Sequence, residues 1–314
     1  MRRVIRIFVI ALLSIIIVAC NSPSNPQASH KPTPTKPPIT RKAQPTPTPT
    51  PAAPLRYNSQ VLLSSNAARP DDLIFDTQGN LLFSDPHNNF IGRLDTANHT
   101  FTKIYQGIQG PEGLVILSDG TLIVAEQNTQ RILAYKPGAT TPTVLRTLPG
   151  TPSTATCKDG VDSIAFDQTT QTLIIPDSPT GEVYRMSTDG KTFTLLASGF
   201  VRPVGATVDS QGTIYVADEC GGAVGRITRD GNKSSIGGFG MPDDVAFDPQ
   251  GNLLVIDLAP AIHSLIRVNL ASGQRTVLGS QGYIEPQGLI VDHNGDIFVS
   301  DDFSNTIVEY TPVT

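Results

Sequence analysis

The 314-residue chain carries 28 acidic against 23 basic side chains, 39% hydrophobic residues, three Cys and no Trp. Its net charge of −5 does not supply the basic face that phosphate backbones need, so nucleic acid is not an expected partner. The absence of Trp argues against a dedicated carbohydrate-stacking surface, although seven Tyr keep that class open.

Arg2, Arg3 and Arg6 precede an apolar run from Ile7 to Val18. That run is shorter than the roughly 20 residues that span a bilayer and reads as an export signal. It ends in Ile17-Val18-Ala19-Cys20, which resembles the lipobox of bacterial lipoproteins, where the Cys thiol receives a diacylglyceryl group and becomes the new N-terminus. Residues 1–20 are therefore expected to be a lipoprotein signal with Cys20 as the lipidation site; an ordinary secretory signal with an incidental Cys is the alternative. Several acyl chains on one Cys would hold the protein on the extracytoplasmic face of the cell membrane. From 21 to 54 the composition turns to Pro, Thr, Ser and Ala, with Lys31, Lys36, Arg41 and Lys42 and no acid. Such a segment has too few apolar side chains for a core and predicts a disordered, extended stalk, at most about 100 Å long at ~3.1 Å per residue. Its charges suit anionic lipid or wall polymer, and its Thr density permits O-glycosylation.

Residues 55–314 hold all 28 acidic side chains and 16 of the basic ones, a net charge of −12. Six times this region repeats a short apolar strand, a turn, a second apolar strand ending in an acid, and a third strand. The terminal acids are Asp85, Glu126, Asp177, Asp218, Asp257 and Asp301, at intervals of 39 to 51 residues. Units of this size cannot bury their own apolar faces, and the period predicts an all-β fold, a six-bladed β-propeller. The apolar runs are too short and too rich in Val, Ile, Phe and Tyr for helices. Five of the six first turns carry Gly, as in Gln78-Gly79 and Asp119-Gly120, and only Thr169-Thr170 lacks it. The recurring acids are expected to be structural, pinning the loop to the third strand.

After the third strand of blade six, Thr306–Tyr310, only four residues follow. Tyr57–Leu63 is an orphan strand upstream of blade one. It is expected to supply the outer strand of blade six and close the ring without an open sheet edge. Once Cys20 is lipidated, Cys157 and Cys220 remain, one before the first strand of blade three and the other after the second strand of blade four. In four-stranded meanders these loops emerge on one face of neighbouring blades, so a structural disulfide is expected outside the cytoplasm.

Two residues before the first apolar position of each repeat stand Asp71, Glu112, Asp162, Val204, Asp243 and Gln287. Four carboxylates and an amide converging on an axis outline a hard-cation site, and Ca2+ takes six to eight oxygens. The alternative is that these side chains only cap backbone N–H groups before the strands. His87 and His263 follow second strands near the same mouth, and either could serve as a general base.

Pro111-Glu112-Gly113-Leu114 with Asp119–Ile132, and Pro286-Gln287-Gly288-Leu289 with Gly295–Asp301, resemble NHL repeats and the gluconolactonase and senescence-marker-protein superfamily of six-bladed propellers. The likeness covers 57–314. It implies a Ca2+ held at these strand starts by Glu, Asn and Asp, and Glu112-Gly113 matches that signature. This ring has no Asn, and Val204 stands where an oxygen ligand is expected. Two readings follow. One is a membrane-anchored scaffold, monomeric, binding a small molecule or protein on its rim loops. The other is a Ca2+-dependent lactonase or esterase. Val204 and the missing Asn favour the first.

Overall fold

Each repeat folds as a four-stranded antiparallel meander because its strands are too short and too apolar to stand alone, and six of them share one set of inner strands. The computed structural model describes residues 56–280 and 282–313, and among these twenty-four strands form six four-stranded sheets. The signal, Cys20 and the Pro/Thr-rich stretch lie outside the described residues. The inner strands are Leu73–Phe75, Pro111–Ile116, Ala165–Asp167, Pro203–Val208, Pro242–Phe247 and Pro286–Val291. Second strands are buried almost throughout, as in Leu81–Asp85 and Leu122–Glu126. Apolar clusters between neighbouring blades form the core: Phe83, Phe90, Leu63 and Ile307 meet in one, and Ile123, Ile132, Leu173 and Ile175 in the next.

The ring closes through its ends. Arg56–Ser64 pairs antiparallel with Thr306–Val313, from Arg56 opposite Val313 to Ser64 opposite Thr306, and becomes the outer strand of blade six. Leu62 and Leu63 of this strand are 4% and 1% exposed.

The blade-to-blade contacts around the axis alternate. Asp72 accepts the N–H groups of Leu73 and of Leu114 in blade two, both at 2.7 Å. Asp244 does the same with Val245 at 2.8 Å and Leu289 of blade six at 2.9 Å. At the equivalent position blades two, four and six have Gly113, Gly205 and Gly288. A Cβ on these would lie 2.5 Å from Ile164 N, 2.4 Å from the Asp243 carbonyl oxygen and 2.2 Å from the Asp71 carbonyl oxygen. Hence blades one and two, and five and six, are joined by a carboxylate, while two and three, four and five, and six and one meet backbone against backbone.

The terminal acids do structural work on two loops. Asp85 accepts from Arg69 N and Asn88 N, and Asp301 from Ile284 N and Ser304 N. They pin the turn into the third strand, as expected, and also the loop that enters the blade. Cys157 and Cys220 form a disulfide, tying the entry loop of blade three to the short turn Glu219–Gly221 of blade four.

Candidate metal centre at the channel mouth

The inner strands start at one end of the axis, and in five of the six repeats the residue two before the apolar run lines the cavity there. In blade two this placement is built into the strand: the register with the second strand shifts between Pro111 and Leu114, which lets Glu112 depart from the regular pleat. One carboxylate oxygen from each of Asp71, Glu112 and Asp162 lies within 4.8 Å of the others. Glu112 is 6% exposed and Asp162 8%. Asp243 and Gln287 line the same cavity, of about 520 Å3, and Asp243 does not join that close group of carboxylates. Val204 faces elsewhere: it is fully buried in the apolar cluster with Tyr215, Val224 and Val245.

The quadrant without an oxygen is not empty of charge. Arg202, two residues before Val204, lies 3.2 Å from Asp162 and 3.2 Å from Asp159, and pairs with Glu219. Glu219 and Asp159 flank Cys220 and Cys157, so the disulfide joins the two loops that hold this guanidinium. The repeat pattern could not reveal Arg202, because it stands in a non-repeating entry loop. The one signal was Val204, an apolar residue where its five counterparts are polar.

Burial, then mutual repulsion, sets the protonation of the group. Burial pushes Asp71, Glu112 and Asp243 well above the usual carboxylate range, and their neighbouring carboxylates push the same way. Asp162 is raised by burial but opposed by Arg202. Acids raised in this way hold their protons more tightly, so a divalent cation must displace them and binds better as the pH rises; the donor set is all oxygen, as Ca2+ requires. Three clustered carboxylates, with Asp243 and the Gln287 amide on the same wall, fit such an ion.

His87 lines this cavity and His263 does not. His87 Nε2 is 3.0 Å from Asp302 Oδ2, a partner that directly follows the terminal acid Asp301.

Fold and site together define a six-bladed propeller with a buried acidic mouth. No protein-family model matches the chain, nor does any curated protein. Solved structures do. A gluconolactonase from Xanthomonas campestris superposes with a TM-score of 0.66 at 16% identity, covering 87% of this chain and 99% of that one. Virginiamycin B lyase from Staphylococcus aureus gives 0.61 at 18% identity, covering 80% and 83%. A chain of a nidogen/laminin complex gives 0.62 at 21%, covering 73% and 88%.

Proposed function

We propose that this protein is a cation-dependent hydrolase of lactones or related esters, displayed on a membrane through lipid on Cys20. The observation that carries the reading is the convergence of Asp71, Glu112 and Asp162 at the base of a polar cavity. These three, with Asp243, would hold Ca2+, which when bound supplies a Lewis acid for a carbonyl oxygen and for water. Arg202, 3.2 Å from Asp162, holds that carboxyl in place and opposes the upward push of burial on it. The polar walls, including Asn128, Gln127 and Glu285, orient the substrate over that base. The gluconolactonase likeness supports this chemistry. The scaffold reading is supported by Val204 and by the nidogen chain.

Adding Ca2+ to chelated protein should raise its melting temperature, by an amount equivalent to ~2.7 kcal/mol at one hundred times Kd. Glu112→Gln combined with Asp162→Asn should abolish the rise. Turnover of lactones or aryl esters that disappears in the same variant supports the hydrolase. A rise without turnover leaves the scaffold, and an indifferent melting temperature removes the metal site. For the anchor, wild-type protein should partition into detergent and Cys20→Ser should not; unmodified wild-type protein in the medium contradicts lipidation.

A further inference from the structure

We propose that His87, oriented by Asp302, is the proton-transfer group of this mouth, an inference that rests on the hydrolase reading above. The two residues come from opposite ends of the domain, 215 positions apart, and meet where blade six adjoins blade one. Asp302 is 2% exposed. Its Oδ2 accepts from His87 at 3.0 Å and from Arg69 at 2.9 Å. Arg69 is itself tied down, with Nε donating to the Asp302 carbonyl at 3.1 Å and its guanidinium 4.4 Å from the centre of the Phe303 ring. The carboxylate beneath the imidazole is therefore both fixed and charge-compensated.

Burial raises the Asp302 carboxyl and Arg69 opposes it; with Asp302 ionised it only accepts, and the His87 nitrogen facing it carries the proton. That leaves the lone pair on Nδ1, which has no protein partner among the described residues. The imidazole is 45% exposed and shares one cavity with Asp71, Glu112 and Asp162. Asp302 lines that cavity too, and its Oδ1 is buried with no hydrogen-bond partner. An orphaned buried acceptor is costly, and a donor from a bound molecule would satisfy it. An ion pair built only for stability has no need of either feature.

In ester hydrolysis, Nδ1 takes a proton from water as the water oxygen bonds to the carbonyl carbon. The imidazolium then gives that proton to the departing alkoxide oxygen as the C–O bond breaks, and His87 returns to its starting state. Net, one water is consumed and one acid and one alcohol are formed.

In the histidine-labelled full chain, NMR should find the neutral His87 proton on Nε2, and Asp302→Ala should abolish that preference. With dihydrocoumarin and phenyl acetate as probes, His87→Gln should lower kcat about 100-fold or more, the range expected for a lost general base. Its Ca2+-induced rise in melting temperature should remain, showing an intact fold and ion site. A proton on Nδ1, or a His87→Gln protein as fast as wild type, overturns the assignment and leaves the hydrolase reading standing. A wild-type protein inert to both probes overturns both.

Discussion

Asp72 shows what burial does to an acid on this axis: both its oxygens accept backbone N–H groups, yet its pKa rises to about 7. Desolvation outweighs the two hydrogen bonds. Burial raises Asp71, Glu112, Asp243 and Asp244 in the same direction. A carboxyl raised on folding binds more protons in the native state than in the unfolded chain. Its contribution is complete below the unfolded value near 4 and is lost as the pH rises through the folded value. In chelator, the urea midpoint should therefore fall between pH 5 and pH 7.5, by on the order of a few kcal/mol in stability. Ca2+ should flatten or reverse that slope, since it binds the deprotonated form. A midpoint that climbs over this range in chelator would contradict the raised values. The mouth acids were legible in the sequence because they recur at one position in four of the six repeats. Arg202 and Asp302 were not, since each acquires its role from partners in a neighbouring blade.

Between blades, the alternation of Asp72 and Asp244 with Gly113, Gly205 and Gly288 makes the elements unequal in tolerance. A Cβ on Gly113 would meet backbone atoms of Ser163 and Ile164, and Asp162 precedes them directly. Backbone cannot rotate away as a side chain can, so Gly113→Ala should cost about 1–3 kcal/mol by overpacking. It should also weaken the Ca2+ effect by displacing Asp162. Gly79→Ala, in a turn with nothing within 4 Å of the added carbon, pays only for its φ of +82° and should leave the Ca2+ response unchanged. Equal responses in the two variants would show that the close approach does not position the site. Strand identity could be read from apolar periodicity. The extension of four inner strands back to a Pro comes with a register shift against the second strand of the same blade, which apolar periodicity does not record.

For the whole molecule, the decisive element is the first strand. Deleting residues 1–64 removes Leu62 and Leu63 from the core and exposes the edge of Thr306–Val313, which should cost several kcal/mol. Deleting residues 1–54 leaves the described strand intact and should cost almost nothing. Identical melting temperatures for the two truncations would refute the role of the strand. The pairing also orders events in time. Arg56 and Val313 sit at opposite limits of the domain, so the contact that completes the ring has nearly the largest sequence separation the domain allows. Closing so long a loop is slow, and it cannot begin before the final strand has been synthesised. Until then five blades can form while the sixth lacks its edge, and the nascent chain remains an open arc.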